Sequence, residues 1–410
     1  MIVKPFAAVR PQNEFAHLLS SLPDGSNERG AMRKPLAALH VDVDDLPISS
    51  ESTEVYRLGR KILDDFRENG TYLTEDVPCF YLYELEQNGR CQVGIVAGCS
   101  IDDYSNGTIK KHENTIEAKE MCVVRRLDTL NSQDGPIYLA YRNTPTIDAI
   151  VAQVHAGEPL YSFYSSKGVR NTVWRIADAA LVEALVAGFE EVPTAYIADG
   201  HHRAAAAVHV GYDRRELNGT FVGAAEPDYF MSVLFPADQL AILSFSRIVH
   251  DLNGLTVDEF IERLTGEGGA YDLLGVQDEP FLPTKKGEMG VYVGGRWYAV
   301  AVHDDVVTDD PVFSLDVALL QTHVLRPILG IDDPRTNERL EFLGEVRGID
   351  ALVDRVDHLV EENGIAVAFT MFPTSIEEFM AVADAGRLMP PKSTCFEPKL
   401  RSGLFIRELA

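Results

Sequence analysis

The spacing of apolar residues predicts helices and strands in alternation through the first half of the chain. A periodic apolar face predicts a helix over Glu54–Asn69. Two strand-like stretches at 79–87 and 92–100 are joined through Asn88-Gly89, a residue pair that is typical of a tight hairpin turn. Two further amphipathic stretches predict helices over Thr144–Ala156 and Asp178–Phe189.

The second half of the chain continues this mixture. The pattern predicts a short buried strand over Thr194–Ala198, then the pair Asp199-Gly200 and a helix over about 202–210. Residues 229–249 alternate like two strands with a turn at Pro-Ala-Asp-Gln, and the glycine-rich stretch 266–269 indicates a boundary or a long loop. The other predicted elements are a hairpin over 291–302 with its turn at Gly294-Gly295, and helices over Val317–Leu329, Ile349–Glu362 and Ser375–Ala383. The mixture predicts an α+β (mixed α/β) fold.

Length and composition limit the classes of protein to which the chain can belong. Its 410 residues are too many for one ordinary domain, and its 46% of hydrophobic residues suffice for a sizeable core. No apolar run approaches the roughly 18 residues that cross a bilayer, and the N-terminal residues lack the pattern of a secretory signal. Five irregularly spaced cysteines predict neither a disulfide framework nor a zinc ribbon. We therefore expect a cytoplasmic protein that does not bind a membrane.

The charge balance is strongly acidic. With 37 basic and 63 acidic residues, the formal net charge is −26. Such a field repels the phosphate backbone of nucleic acid at long range, so we expect no nucleic-acid partner. A small anionic substrate meets the same repulsion and requires a concentrated cationic pocket, to which a metal ion can contribute.

The most informative stretch reads IADGHHR, where a predicted strand meets an alanine-rich helix. Gly200 permits a positive φ and a close approach of a ligand to the main chain. The free N–H groups of the first helical turn suit phosphate oxygens, and Arg203 can add a charge-assisted contact. Asp199 is placed to hold Mg²⁺ or to accept a proton from a substrate hydroxyl, and His201 or His202 can donate to a phosphoryl group. In the alternative interpretation, Asp199 only caps the helix and the histidines are ordinary neighbours.

Two other polar clusters are candidates for binding an anion. The first joins two cations, an imidazole and a carboxylate that could serve a metal ion: Lys110, Lys111, His112 and Glu113. The second is a proline-stiffened segment with cations and hydroxyl groups: Arg387, Lys392, Ser393, Thr394, Lys399 and Arg401. The alternatives are a solvated helix start capped by Asn114 or Thr115 for the first cluster and a surface strap for the second.

Several common catalytic motifs are absent from the sequence. It contains no GxxxxGK[ST], no GxSxG and no HExxH, and the glycines of 291–302 lack the GxGxxG spacing. P-loop proteins, α/β-hydrolases and HExxH metalloproteases are therefore disfavoured.

Four segments of the chain together resemble the bacterial and archaeal domain of unknown function family 1015. They read TIKKHENT, IADGHHRAA, RTNERLEFLG and MPPKSTCFEPKLRSGL, and they run from Thr108 to Leu404. The Asp-Gly-His-His-Arg turn is also similar to the phosphate-binding turn of the ParB/sulfiredoxin superfamily. The resemblance implies a ParB/sulfiredoxin-like nucleotide-binding domain over residues 1–225. A second α+β domain then covers 226–410, with a tail that can return to the site.

The superfamily includes the free serine kinases, which phosphorylate L-serine with a nucleotide donor and Mg²⁺. The resemblance therefore implies a small-molecule kinase that uses Mg²⁺ and ATP, ADP or pyrophosphate. It assigns Asp199 to the metal or the substrate, and residues 200–203 to the phosphates. Those kinases take a catalytic base from an early loop, where relatives of this chain have Pro-Tyr-Asp. Here the loop reads Leu-Pro-Asp-Gly, so that Asp24 is the nearest match and Glu28 the reserve.

Two functions from different classes follow from these observations. The first is phosphoryl transfer to a hydroxylated metabolite, with free L-serine as one candidate acceptor. The second is a non-catalytic nucleotide-binding switch or scaffold of the ParB type. Sulfiredoxin chemistry is disfavoured because His201 and His202 stand where its cysteine would lie. A homodimer is one oligomeric state compatible with the sequence.

Overall fold

The computed structural model describes residues 1–15, 51–219 and 225–409, which form two compact units. Unit 1 comprises Met1–Leu240 and the C-terminal segment Pro398–Ala410, and unit 2 comprises Ala241–Glu397. Both units contain helices and strands, so the predicted α+β class is confirmed. None of the described helices combines the length and hydrophobicity that crossing a membrane requires.

Unit 1 is built on a mixed nine-stranded sheet. Its strand order is β6-β11-β8-β12-β5-β4-β10-β9, with β1 paired to β5, and two small sheets pair β2 with β3 and β7 with β21. The strands are β1 Val3–Lys4, β2 Val9–Pro11, β3 Tyr72–Thr74, β4 Phe80–Gln87, β5 Arg90–Ser100, β6 Ile109–Lys110, β7 Ser132–Gln133, β8 Ile137–Tyr141, β9 Tyr161–Tyr164, β10 Arg170–Ile176, β11 Ala195–Asp199, β12 Tyr229–Pro236 and, from the C-terminal segment, β21 Arg407–Glu408.

Apart from the first helix, which packs against β2, β3 and Ile406, the helices of unit 1 pack apolar faces against this sheet. They are α1 Glu51–Glu68, α2 Ile101–Ser105, α3 Glu117–Leu130, α4 Pro145–His155, α5 Ala179–Glu190 and α6 His201–Asn218. Every residue of β8 and β12 is buried, which means that both faces of the central sheet are covered. A single core joins side chains of α3 to α6 with the central strands.

Local signals explain where several elements begin and turn. The carboxylate of Asp178 accepts the N–H groups of Ala180 and Leu181 and so starts α5. Asn88 and Gly89 have φ values of 52° and 76°, the left-handed conformation that a tight hairpin between β4 and β5 requires. These elements are confirmed, as is the α4 helix.

Unit 2 is built on a six-stranded antiparallel sheet. Its strand order is β15-β17-β16-β19-β14-β18, and β13 pairs with β20 beside it. Trp297 and Tyr292 stack at its core against the apolar face of the helix α9. The elements are β13 Ile242–Leu243, β14 Phe245–Val249, α7 Val257–Thr265, β15 Tyr271–Gln277, β16 Glu288–Val293, β17 Arg296–Val302, α8 Asp316–Leu320, β18 Leu340–Gly344, α9 Ile349–Asn363, β19 Val367–Met371, α10 Ile376–Asp384 and β20 Cys395–Phe396.

The predicted pair of strands over 229–249 is wrong as a hairpin. β12 pairs with β5 and β8 in unit 1, whereas β14 pairs with β18 and β19 in unit 2. The Pro-Ala-Asp-Gln segment forms a short 3-10 helix rather than a hairpin turn. The chain therefore enters unit 2 after Leu240, while the sequence-based boundary lies between residues 225 and 226.

Three other predictions need correction. The α6 helix runs to Asn218 rather than to Val210. The stretch 266–269 is a short connection between α7 and β15 inside unit 2. The helix predicted over 317–329 is the short α8, followed by a π-helical turn over Gln321–Leu325. The spacing of apolar residues cannot distinguish an α-helix from a 3-10 or π-helical turn, because the hydrogen bonds of these helices span similar intervals of three to five residues.

Candidate functional site

The Asp199 turn, residues 199–203, links the end of β11 to the start of α6. Gly200 has φ 93° and ψ 33°, a left-handed conformation, and as the N-cap residue it offers no side chain of its own to cap the helix. A Cβ atom at this position would lie 3.1 Å from Nε of Arg203. The glycine thus leaves room for the guanidinium beside the first turn of the helix, whose main-chain N–H groups have no acceptor within the helix.

The carboxylate of Asp199 lies between two cations. Its Oδ1 is 3.4 Å from Nζ of Lys399, and its Oδ2 accepts a hydrogen bond of 3.1 Å from Nη2 of Arg203. Burial by itself would raise the pKa of Asp199, but the positive charges of Lys399 and Arg203 outweigh burial and lower the pKa to about 2. The carboxylate is therefore ionised at neutral pH.

A second contact fixes the orientation of Arg203. Its Nη1 donates a hydrogen bond of 2.7 Å to the carbonyl oxygen of Pro136. The adjacent Gly135 leaves room for this, because a Cβ there would lie 3.1 Å from both Nη1 of Arg203 and Oγ of Ser402. The guanidinium is held by a carbonyl on one side and a carboxylate on the other, and its position is well defined.

The predicted cluster at residues 110–115 lies beside this turn. β6 pairs with β11 in parallel, with Lys110 opposite Tyr196, so both segments leave the sheet at the same edge. His112 is 2% exposed, and its Nδ1 is 3.0 Å from the carbonyl oxygen of Ile197. A carbonyl can only accept, so Nδ1 carries the proton and donates it. The structure brings this cluster and the Asp199 turn together within unit 1.

His112 and His201 form a buried pair. Their rings meet edge to face with centroids 4.6 Å apart. Burial lowers the pKa of His112 to about 4, although its bond to Ile197 and the charge of Asp199 act in the opposite direction. Burial and the neighbouring His112 also lower the pKa of His201 well below its usual value, so both rings are neutral at pH 7. Nε2 of His201 is buried with no hydrogen-bond partner among the described residues.

His202 points to a different neighbour. Its Nε2 accepts a hydrogen bond of 2.9 Å from the main-chain N–H of Ile116, the residue that precedes α3. This bond ties the start of α3 to the start of α6. Because the lone pair of Nε2 is already engaged, a part for His202 in proton transfer stays a prediction.

The C-terminal cluster is divided between the two units. Lys399 and Arg401 belong to unit 1, where Lys399 contacts Asp199 and Arg401 is buried. Lys392, Ser393 and Thr394 belong to unit 2. The structure therefore assigns only the first two to the same unit as the Asp199 turn.

Besides Asp199, the acidic residues predicted for metal binding and catalysis are Glu113, Asp24 and Glu28, and the structure describes only the first of these three. Glu113 is exposed, and no group of three or more His, Cys, Asp or Glu residues suited to a metal ion occurs in the described part of the chain. Asp24 and Glu28 lie in the range 16–50, outside the described residues. Their roles stay predictions.

Sequence reasoning missed the main-chain groups that complete the arrangement. The carbonyls of Pro136 and Ile197 and the N–H of Ile116 all contact predicted site residues. The only local signal was the turn-forming sequence Asp-Gly-Pro before β8. Main-chain partners carry no residue-type signature, so spacing alone could not have identified them.

Comparisons with known proteins give one family and several distant structures. A family model described as "Protein of unknown function (DUF1015)" matches residues 3–318. A search of curated proteins finds no significant match. Among solved structures, a C-terminally truncated SbnI from Staphylococcus aureus is 11% identical, covering 75% of this chain and 85% of its own, with a TM-score of 0.39.

Two other solved structures are similarly distant. A free serine kinase in complex with AMP is 15% identical, covering 75% of this chain and 92% of its own, with a TM-score of 0.33. A conserved hypothetical protein from Pyrococcus furiosus is 16% identical, covering 76% of this chain and 95% of its own, with a TM-score of 0.35. At these values, the similarities to solved structures carry no functional argument.

Proposed function

The chain belongs to the family described as "Protein of unknown function (DUF1015)", and we propose that it is a small-molecule kinase acting on a hydroxylated metabolite. The observation that supports this most strongly is the Asp199 turn, where a helix N-terminus, Arg203 and Lys399 surround an ionised carboxylate. Phosphoryl transfer requires mainly the positioning of reactants and the neutralisation of charge on the phosphoryl oxygens. The residues of the turn can supply both.

In the proposed reaction, the main-chain N–H groups after Gly200 hold the phosphates of a nucleotide or of pyrophosphate. Arg203 and Lys399 provide positive charge at the transferring group, since both already lie beside the turn. A bound phosphate competes with Asp199 for these cations. Binding of the donor thus releases the carboxylate for its own part in the reaction.

Mg²⁺ is the metal expected in such a reaction, and Asp199 fits it as a single ligand. Mg²⁺ is commonly held by one or two carboxylates together with substrate phosphates, so a larger cluster of side chains is not required. A carboxylate with a pKa of about 2 is ionised at every pH at which the protein would work. When bound, Mg²⁺ would neutralise charge on the phosphates.

We take free L-serine as the first acceptor to test and Asp24 or Glu28 as the catalytic base. A base must remove the proton of the acceptor hydroxyl as the new bond to phosphorus forms.

The neutral rings of His112 and His201 are hydrogen-bonding groups beside the turn rather than sources of positive charge. This leaves the binding of phosphate charge to Arg203, Lys399 and the helix N-terminus.

Phosphorus NMR of the full chain tests the proposal. The protein is incubated with Mg²⁺, with ATP, ADP or pyrophosphate, and with L-serine or a pool of hydroxylated metabolites. We expect a new phosphomonoester, formed about 100-fold or more slowly by Asp199→Asn and Arg203→Met. Arg170→Met serves as the control, because Arg170 is half-buried on β10, where it forms an ion pair with Glu86 at 3.4 Å and donates to Oγ of Ser162 at 3.3 Å. Nucleotide binding without any product would favour the switch or scaffold instead.

A pair of glycine substitutions separates backbone strain from loss of the binding turn. Gly200→Ala forces a left-handed alanine, at a cost of about 1–2 kcal/mol, and presses its Cβ against Arg203. Gly89→Ala imposes similar strain at φ 76° with no atom nearby. We expect both to lower the melting temperature and only Gly200→Ala to weaken nucleotide binding measured by calorimetry. Equal nucleotide affinities in the two variants would contradict the assignment of phosphate to this turn.

A further inference from the structure

Arg247, in the middle of β14, is a buried cation without an acidic partner. Arg247 is 3% exposed, and no carboxylate in the described part of the chain forms an ion pair with it. Burial lowers the pKa of Arg247 to about 9, with no neighbouring charge that opposes the effect. A buried charge that lacks a counter-ion is costly, which makes this position unusual in a protein with a net charge of −26.

The hydrogen bonds of Arg247 go only to main-chain carbonyls. Nη1 donates 2.6 Å to Phe245, and Nη2 donates 3.0 Å to Lys392 and 3.4 Å to Pro391. One face of the guanidinium lies over the ring of Phe342 at 5.4 Å. A guanidinium has five N–H donors, so the N–H of Nε and one N–H of Nη1 have no acceptor among the described residues.

The strap, residues 387–397 of unit 2, adds a second cation at the same place. Lys392 is exposed in a left-handed conformation, φ 53°, and its Nζ lies 5.6 Å from the centre of the Phe245 ring. It forms no ion pair with a described carboxylate. Its carbonyl oxygen is the acceptor of the bond from Nη2 of Arg247, so the two residues are in direct contact.

We propose that Arg247 and Lys392, both in unit 2, form a binding site for a phosphate-type dianion. The two remaining N–H groups of Arg247 point in different directions, so one of them can donate to a phosphate oxygen, and the ammonium group of the exposed Lys392 adds a second positive charge. Free phosphate and a phosphate ester share this chemistry. The site uses no residue of the proposed kinase reaction, so the result of one test does not decide the other.

Calorimetry with inorganic phosphate tests this site in the full chain. The parent protein carries Arg203→Met, so that the Asp199 turn does not contribute, and ionic strength is kept constant with potassium chloride. We expect one binding event, with an affinity that Lys392→Met weakens about tenfold. Lys285→Met is the matched control in unit 2, because Lys285 is exposed and lies 4.0 Å from Glu288; it should bind phosphate as the parent does.

Arg247→Met should abolish phosphate binding. If the Arg247→Met protein does not fold, the comparison of Lys392→Met with Lys285→Met still decides the test. A parallel titration with glycerol phosphate identifies the source of the ligand: tighter binding than phosphate assigns the site to phosphate esters, and weaker binding assigns it to the free ion. Absence of binding by the Arg203→Met parent, or equal affinities in Lys392→Met and Lys285→Met, would overturn the proposal and leave Arg247 as a clamp for the strap.

Discussion

At the scale of single residues, the surroundings of Asp316, at the start of α8, favour the protonated form of its carboxyl group. Its Oδ2 accepts a hydrogen bond of 3.0 Å from the N–H of Gly287, while Oδ1 is buried with no hydrogen-bond partner in the described structure. Burial raises the pKa of Asp316 to about 6, even though Gly287 and Lys286 act to lower it. The folded protein therefore holds the proton more tightly than the unfolded chain does.

The raised pKa of Asp316 makes the stability of the fold depend on pH. The contribution of Asp316 to stability is fully present below the pKa of the unfolded chain and is lost as pH rises through about 6. Asp316→Asn removes this loss, so it should raise the melting temperature at pH 8 and have little effect at pH 4. Thermal unfolding followed by circular dichroism measures the change, with Asp354→Asn as the control because Asp354 is exposed on α9. A similar shift at both pH values would show that the carboxyl is not protonated in the fold.

For individual residues, the sequence predicted the turn between a strand and a helix at Asp199, Gly200 and Arg203, because a glycine and charged residues stand there. The roles of these residues in binding and catalysis stay predictions. Arg247 was missed, because its isolation from carboxylates depends on which strands lie beside β14. A residue type indicates what a side chain can do, whereas its neighbours decide whether it is paired.

At the scale of elements, α6 is longer than the sequence pattern indicated. The pattern predicts a helix over about 202–210, but α6 continues past Gly211 to Asn218 and ends at Gly219, which has φ 61°. A Cβ at Gly211 would lie 2.6 Å from both the Cδ1 atom of Ile101 and the carbonyl oxygen of Pro227. The glycine is required by close packing around the helix rather than by a turn.

This packing predicts the sign of a substitution in α6. Gly211→Ala improves helix propensity by about 1 kcal/mol, but the added methyl group meets a main-chain oxygen that cannot move freely, at a cost of about 1–3 kcal/mol. We expect a net loss of stability in urea unfolding. Gly219→Ala, where no atom of the described residues lies within 4 Å of the Cβ, reports the cost of positive φ. A stabilised Gly211→Ala protein would contradict the packing explanation.

Hairpins were the elements most readily predicted. Asn88-Gly89 and Gly294-Gly295 adopt left-handed conformations between paired strands, so their turn chemistry was sufficient. The pairing of β12 and β14 was not predictable in this way. Both strands alternate or are buried, and their partners β8 and β19 are far away in sequence. Local patterns determine that a strand forms, and long-range contacts determine beside which strand it lies.

At the scale of the whole molecule, unit 1 includes a C-terminal segment, Pro398–Ala410, that follows all of unit 2 in sequence. Ile406 packs with Val9, Leu63 and Tyr72 in a buried cluster, and it exchanges main-chain hydrogen bonds of 2.8 Å with Val9. The family resemblance implies a returning tail, but this cluster was not predictable from the sequence, because apolar residues in a terminal segment do not indicate which residues they contact. Lys399 reaches Asp199 on the same segment.

The two tryptophans of the chain allow this closure to be tested, because Trp174 lies in unit 1 and Trp297 in unit 2. Trp297→Phe leaves Trp174 as the reporter, and Trp174→Phe leaves Trp297. In the first background, Ile406→Ala should lower the free energy of unfolding by about 2–5 kcal/mol, since it opens a cavity in a buried cluster. The matched substitution in unit 2 is Leu359→Ala, which should lower the unfolding midpoint reported by Trp297. Ile406→Ala is also made in the Trp174→Phe background; if it changes only the Trp297 signal there and not the Trp174 signal, the assignment of the C-terminal segment to unit 1 is wrong, and the contact of Lys399 with Asp199 loses its structural basis.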